Sequence, residues 1–575
     1  MKIKTKYPRF ESNFLENLLM HRGITDTSAY IKPDSSSLED PHNLCNWEKG
    51  VSLIRETLET NGTIGLIVDP DCDGYTSATI IWQYLHRLND NVQITYHIHS
   101  GKQHGISDMM DVLLEKKYSL LICPDSSSND YPYHKELSVT GTKILVLDHH
   151  MADGEFSENA VIINNQLSPE YKNKELTGAG VVFQFCRLLD EEFNCNYAND
   201  YIDLAALGIC GDMGSLINLE NRFITSYGFN HLNNRMFIAL ADKQAYSMKY
   251  AVNYIGVAFY IVPLINAMIR VGTDEEKENL FSAFIKGDEK IPSKKRGAKG
   301  ELERRCIEST RECTNAKNRQ GGILDKAETA IEVKIYKEDL LSNKILVIAL
   351  DDDLDFPSEL NGLLAMRMSA KFKKPTLIGR VGSDGELRGS IRGINDSPLE
   401  DFRSFLLQSG LFDFVEGHPN AAGYGILEKR VDKLLEYSNK ALEKVDFNEG
   451  AYEVDFYCQY DDINLKQIIF ETGMSDNLWG QSCPEPKICI DNIPLSLKDI
   501  EIIGQRKDTV KFTIKGISYV YFKANNFIEK ISEGEIPSHF YLTVIGKPNI
   551  NEWGGKQAPQ ILVENAEIVE DKYSF

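Results

Sequence analysis

No two cysteines stand at the CxxC spacing, and the total of 11 is odd, so neither a disulfide framework nor a thiolate zinc site is indicated. These cysteines are expected as buried thiols of a cytoplasmic protein, with Cys72 the one placed for oxidation or adventitious metal binding. No stretch approaches the roughly 20 apolar residues of a membrane-crossing helix. The start, MKIKTKYPRF, carries basic residues with no apolar core behind them, so neither a membrane protein nor a secretory signal is expected. Positive charge is also short: 63 Lys and Arg against 85 Asp and Glu give a net charge of -22. That excludes a protein that coats nucleic acid through bulk charge, and confines any such contact to basic grooves, with metal ions offsetting acidic sites locally.

What is present is ordinary globular material, 42% hydrophobic and 26% charged, in a chain of 575 residues that is too long for one core. The most informative stretch is GLIVDPDCDG, from Gly65 to Gly74. An apolar run, Gly65 to Val68, reads as a buried parallel strand, and carboxylates follow at alternate positions, Asp69, Asp71 and Asp73. Gly74 is expected to permit a sharp turn, and Thr76 or Ser77 to cap a helix bearing Ile80, Ile81, Tyr84, Leu85 and Leu88. Three like charges in one loop repel each other, and divalent metal relieves that repulsion; a solvated Asp/Gly turn is the plainer alternative.

Later strand ends weigh against the plain turn. Strands are expected at Ile64 to Val68, Val92 to His97, Ser119 to Cys123, Ile144 to Leu147 and Val161 to Ile163, with helical runs between most of them, the pattern of a parallel sheet covered on both faces. The third runs into Asp125 and the fourth into Asp148, His149 and His150; a further helix from Asp203 leads to Asp212. A single Asp after a strand is unremarkable, but three successive strand ends giving Asp, Asp and then Asp-His-His form a constellation. Carboxylates and imidazoles without thiolate suit manganese or magnesium. A pair of such ions activates water and clamps an in-line phosphoryl displacement, so phosphoester hydrolysis is the expected chemistry.

At this point the motifs resemble a known family. DxDxDG at 69 to 74, Asp125, DHH at 148 to 150 and GD at 211 to 212 resemble the four motifs of the DHH phosphoesterases. TGAG at 177 to 180, NR at 221 to 222, PLINAMIR at 263 to 270, GSIR at 389 to 392 and GHPNAAG at 417 to 423 continue the match. LWGQSCPEP at 478 to 486 and NEWGGKQAPQ at 551 to 560 resemble the two ends of the OB-fold in the RecJ branch. The resemblance runs in order over about residues 50 to 570. It implies an α/β fold: a helical preface (1–60), a parallel-sheet DHH catalytic domain (61–230), a helical segment with a long linking helix (231–325), an α/β DHH-associated domain (326–447) and a C-terminal all-β OB-fold (448–575).

The resemblance further implies a 5′-to-3′ exonuclease of single-stranded DNA that releases mononucleotides with two Mn2+ or Mg2+ ions, as used in DNA repair, recombination or phage replication. Asp71 and Asp125 would hold one ion; Asp73, Asp125, His149 and Asp212 the other, with Asp125 bridging. His150 would face the scissile phosphate, and Asp148 would orient the histidines. Asp69 would support the ligands from behind or substitute for one. Where many relatives have a histidine ligand, this chain has Ile67, which leaves the first site weaker. Leu264 replaces the Arg of PRINA, Glu416 replaces a Gly, and the phosphate segment PxRxxxxGYG survives only as HSGKQHGIS at 99 to 107.

Arg270, Arg392 and His418 are expected to hold phosphates. Lys294 to Arg319 concentrate positive charge on an expected long helix that would track the DNA backbone. In the OB-fold, Lys511, Tyr519, Tyr521 and Lys523 are candidates for DNA contact, while Trp479 and Trp553 read as core or corner residues. A monomer is expected, with single-stranded DNA as partner and a single-stranded-DNA-binding protein or helicase as further candidates. Two rivals remain: a DHH phosphodiesterase for short oligonucleotides or cyclic dinucleotides, which usually lacks an OB-fold, and a nuclease-dead DNA-binding scaffold, which would lack metal ligands.

Overall fold

Residues 1–60, expected as one preface, are divided by their apolar contacts. In the computed structural model, strand β1 (Ile3–Thr5) pairs in parallel with Tyr452–Val454, because Ile3 packs on Val454, Cys489 and Ile545. Helix Trp47–Glu59 instead buries Val51 and Ile54 in the core of the parallel sheet. The structure describes residues 2–569 apart from 100, 102, 153–156, 395–396, 448–451, 475–476 and 554, with the side chain of Trp553 also outside the described set. The chain forms two units, one of residues 26–320 with 477–484, the other of residues 1–25, 321–476 and 485–575.

Strict alternation builds the first unit. Strands β2 (Thr63–Val68), β3 (Gln93–Ile98), β4 (Leu120–Pro124), β5 (Lys143–Asp148) and β6 (Val161–Asn164) form a wholly parallel sheet in the order β3-β2-β4-β5-β6. Leu66, Ile122, Leu145 and Ile163 face one core with helices Cys72–Leu88 and Gly178–Glu192. Ile67, Leu121, Val146 and Ile162 face another with Ile106, Met110 and Leu137. Both faces are covered, so the central strands are apolar along most of their length, while the edge strand β3 carries Gln93, Thr95 and His97. The strand order reverses between β2 and β4, and in open sheets the crevice at the carboxyl ends of such strands is where ligands sit.

Asp71, not Thr76 or Ser77, caps the helix after β2: its Oδ1 accepts from Gly74 N at 2.9 Å, and the helix begins at Cys72. Gly74 is therefore helical rather than a turn, and a glycine for contact reasons, since a Cβ there would lie 2.5 Å from both Cβ and O of Asp69. Cys72 is buried with its thiol pushed well up by burial, so it is inert rather than reactive.

The run Tyr254–Val271 departs from the expectation about apolar length: it is a continuous 18-residue helical stretch long and apolar enough to cross a bilayer. Val257, Ile261, Leu264, Ile265 and Met268 are nevertheless buried in the sheet's core, as in a core helix. A π turn, Val257–Ile261, precedes Pro263, whose missing N–H breaks the regular ladder there.

The basic stretch is not one helix. Lys290–Pro292 and Leu302–Arg304 form a hairpin, and the helix spans Arg305–Lys337. Much of the charge is already paired: Lys294 with Glu275 and Glu312, Arg305 with Glu289, Arg311 with Glu303 and Glu308, Arg319 with Glu276. Lys295, Arg296 and Lys299 stay exposed in the hairpin loop, so the unpaired charge of this stretch includes that loop and not one helix face alone. The division between units falls at Gly321 inside the long helix, where Gly321 and Gly322 have no neighbour within 4 Å of a built Cβ.

In the second unit, strands Leu346–Ala349, Thr376–Val381, Glu386–Arg392, Ala421–Leu427 and Phe414–His418 form a mixed sheet in that spatial order. A seven-stranded sheet follows, from Phe456–Gln459 to the long hairpin His539–Trp553/Lys556–Val569. LWGQSCPEP, which resembles the lead into that β domain, is largely claimed by the first unit: Tyr30 donates to Leu478 O, Arg222 to Asn477 O and Leu216 N to Gln481 O. Trp479 is buried, as a core residue should be.

Asp203 yields a stability prediction. Its Oδ2 accepts from the backbone of Asn233 and Asn234, both at 2.7 Å, yet burial lifts its carboxyl from 3.8 to about 6. A raised acid binds its proton in the native state first, so its contribution is present at pH 4 and is lost as pH rises through 6, by roughly 3 kcal/mol. Urea unfolding with chelator should show a pH-dependent loss that is smaller by about that amount in Asp203→Asn than in the wild type, the remainder coming from the other raised carboxyls.

Candidate metal centre

Four polar side chains meet at the carboxyl ends of β2, β4 and β5. His149 Nε2 lies 3.2 Å from Asp125 Oδ1, 3.7 Å from Asp212 Oδ2 and 3.9 Å from Asp73 Oδ2. Asp73 comes from the first turn of helix Cys72–Leu88, Asp125 from just past β4, His149 from just past β5, and Asp212 from the carboxyl end of helix Ile202–Gly211. Asp125 adopts φ 63, a left-handed conformation that Asp tolerates better than most residues, and it turns the carboxylate back over the sheet edge.

The helix Gly178–Glu192 closes the back of the site. Gly178 N and Ala179 N donate to Asp73 at 2.7 and 3.0 Å, and Thr177 Oγ1 donates at 3.1 Å, so a helix N-terminus grips this carboxylate. A Cβ on Gly178 would lie 2.2 Å from Asp125 Oδ1, and one on Gly208 2.2 Å from Asp73 Oδ1. Gly178 of TGAG and Gly208 of the Asp212 helix thus leave room for carboxylates, whereas Gly180 and Gly211 leave room for Leu176 and Cys72.

Asp148 plays a different part. It accepts from His149 N, His150 N, Ser128 N and His150 Nδ1, the last at 2.8 Å. Burial opposes its charge, but these partners hold its carboxyl well below the usual range. In return, and against burial, Asp148 lifts His150 to about 9, with Nδ1 committed to Asp148. Asn164, which ends β6, donates to Ser128 Oγ and to His150 O, steadying this turn. It was legible in principle, as a polar residue at a fifth strand end.

Electrostatics show what the cluster lacks. Asp125 is pushed well up by burial and then by Asp73, Asp71 and Asp69, and its Oδ1 has no hydrogen-bond partner among the described residues. Burial likewise raises Asp73, and burial with Asp73 and Asp71 raises Asp212 to about 7. Burial and His150 lower His149, the neutral form that ligates. Oxygen and imidazole donors with no thiolate, crowded and uncompensated, fit hard or borderline divalent cations. The donor groups that converge are Asp73, His149 and Asp212, then Asp125, Asp148, His149 and His150, then Asp69, Asp71 and His104.

His104 was not expected. Its Nδ1 lies 2.5 Å from Asp69 Oδ2, and it comes from the degenerate HSGKQHGIS segment, in which Ser100 and Lys102 lie outside the described residues. Ile67 points away from the site into the Ile106 core.

Arg270 belongs to this neighbourhood. Burial lowers it while Asp71 acts to raise it, and among the described residues it makes no ion pair. Arg392 and His418 lie in the other unit, on one face of its sheet, flanking Ala421 from the strands on either side of it. Lys511 and Tyr521 do not form one surface: Lys511 pairs with Val520 and Tyr521 with Val510, which puts the two on opposite faces of the sheet. Tyr519 is buried, stacked on Phe512 at 4.8 Å, and is removed from the DNA-contact candidates; Lys523 stays exposed.

Comparison with known proteins agrees with this geometry. The model of the DHH family N-terminal domain matches residues 63–209, and that of the RecJ OB domain residues 454–565. The SPbeta prophage-derived single-strand DNA-specific exonuclease YorK of Bacillus subtilis (strain 168) is 35% identical over 97% of this chain and 96% of its own length. The single-stranded-DNA-specific exonuclease RecJ of the same bacterium is 25% identical over 96% of this chain and 68% of its own. The crystal structure of RecJ in complex with Mn2+ from Thermus thermophilus superposes with a TM-score of 0.71 at 20% identity, covering 96% of this chain and 76% of that one. With carboxylates, DHH turn and OB domain in the same order along the chain, this protein belongs to the DHH family, in the branch that contains YorK and RecJ.

Proposed function

We propose that this protein is a metal-dependent exonuclease that hydrolyses single-stranded DNA from its 5′ end and releases mononucleotides. The observation that carries the reading is the convergence of Asp73, Asp125, Asp212 and neutral His149 around one point, with no Lys or Arg paired to them among the described residues. Asp73, Asp125, His149 and Asp212 would hold one Mn2+ or Mg2+ ion, and Asp71 with Asp125 the other. When bound, such a pair activates water and stabilises both oxygens of the displacement.

The chain's own groups do the rest. His150, kept cationic by Asp148, donates Nε2–H to the phosphate, and Asp148 fixes which nitrogen faces outward. Arg270 adds a guanidinium beside Asp71 to hold a neighbouring phosphate. In the second unit, Arg392 and His418 would hold phosphates, and Lys511 or Tyr521, on opposite faces of their sheet, would contact unpaired nucleotides. Retention of Asp71, Asp73, Asp125, His149, His150 and Asp212 disfavours a nuclease-dead scaffold.

The test uses oligonucleotides labelled at either end, single-stranded or in duplex, with Mn2+ or Mg2+. The expected result is early release of labelled mononucleotide from the 5′-labelled single strand only, abolished by EDTA and restored by Mn2+. Early release from the 3′ label would reverse the polarity, and equal attack on duplex would overturn the substrate.

A further inference from the structure

Three donors gather at the other edge of the carboxylate cluster, and one, His104, comes from the degenerate HSGKQHGIS segment rather than from a carboxylate or DHH motif. Asp69 is fully buried at the end of β2, Asp71 caps the following helix, and His104 arrives from the loop after β3. One ligand atom from each lies within 4.8 Å of the others. Donors on opposite sides of a Mg2+-sized ion stand about 4.2 Å apart, so the three atoms are near enough for small side-chain movements to bring them onto one ion.

The loop is built to hold His104 there. Ile106 N donates to Asp130 Oδ2 at 3.0 Å, and Gly105 adopts φ 81 with no room for a Cβ, which would lie 2.4 Å from Asp130 Oδ2. The Ile106 side chain sits in the same core as Ile67. Ile67 is thus an anchor for the loop that presents an imidazole to the site. The His104 side chain is 48% exposed, so the imidazole stands at the mouth and not inside the core.

We propose that His104, with Asp69 and Asp71, ligates the ion of the first site, so that each of the two ions receives one imidazole, His104 for the first and His149 for the second. The inference rests on the two-ion reading given above. Its competitor is a simple ion pair in which His104 neutralises Asp69 and no metal is involved. The two differ in sign: removing a ligand weakens metal binding, whereas removing a competing cation strengthens it.

The experiment is equilibrium dialysis of the full chain against Mn2+ with metal analysis, supported by pulsed electron paramagnetic resonance for imidazole nitrogen coupled to manganese. The wild type should bind two Mn2+ per chain. His104→Ala should keep one ion at unchanged affinity, bind the other at least tenfold more weakly, and lose one of two classes of coupled nitrogen. His104→Gln, closer in size, should behave the same, and both should stay folded in EDTA by circular dichroism, melting at or below the wild type because Asp69 loses its partner. Unchanged or tighter binding of both ions by a folded variant would overturn the assignment, as would a wild type that binds one ion or none. Two-ion binding without release of nucleotides would overturn the proposed activity and leave the role of His104 standing.

Discussion

Replacing Asp125 by alanine or asparagine is expected to lower single-stranded DNA hydrolysis by about 10^3 or more, equivalent to about 4 kcal/mol of transition-state stabilisation. The size follows from its place: Asp125 is the carboxylate whose Oδ1 faces His149 at 3.2 Å, feels Asp73, Asp71 and Asp69, and has no donor to that oxygen among the described residues. A bridging position between two sites has no substitute once that carboxylate is gone. The effect on the metal-free fold should go the other way. Asparagine removes a charge that burial and four neighbouring carboxylates oppose, and it tolerates the left-handed φ of 63 as aspartate does. The melting temperature of Asp125→Asn in EDTA at pH 8 should therefore equal or exceed that of the wild type, while the rise produced by Mn2+ shrinks. A variant that retains a tenth of wild-type activity would show that Asp125 is not the bridging group.

Gly178→Ala is expected to be nearly as damaging although it removes no functional group. Its Cβ would stand 2.2 Å from Asp125 Oδ1 and 2.6 Å from Asp125 Cβ, well inside contact distance, and the left-handed backbone at Asp125 leaves little freedom to retreat. Relief must come from shifting the helix Gly178–Glu192, whose first N–H groups hold Asp73 at 2.7 and 3.0 Å. Both carboxylates then move, and a displacement of about 1 Å at such a site costs on the order of 10^2 in rate. Overpacking should also destabilise by about 1–3 kcal/mol. Gly321→Ala is the control: this helical glycine has open space around it, so activity should hold and stability rise by about 0.5–1 kcal/mol. Equal activity of Gly178→Ala and wild type would mean that the carboxylate geometry tolerates more movement than the packing suggests.

Most of the metal centre was legible because parallel strands put their carboxyl ends on one edge. Once GLIVDPDCDG, LLICPD and ILVLDHH were read as strands of one sheet, Asp69, Asp71, Asp73, Asp125, Asp148, His149 and His150 had to share that edge, whatever the strand order. The alternation of Leu66 and Ile67 between two cores follows from the same period of two. The excess of acidic over basic residues argued only against bulk attraction of nucleic acid.

Other features needed the folded chain, because they depend on which distant residues meet. His104 sits 35 positions from Asp69 in a segment without periodicity, and only the Ile106 and Asp130 contacts bring it to the cluster. The charge from Lys294 to Arg319 reads as a DNA track until Glu275, Glu276, Glu289 and Glu312 are seen to pair with it. Lys511 and Tyr521 part company because strand register, a tertiary quantity, sets Lys511 against Val520. The chemistry could be read from linear order alone, since it resides in residue types at strand ends. Which charges remain uncompensated could be read only after folding, because compensation is a matter of distance and burial.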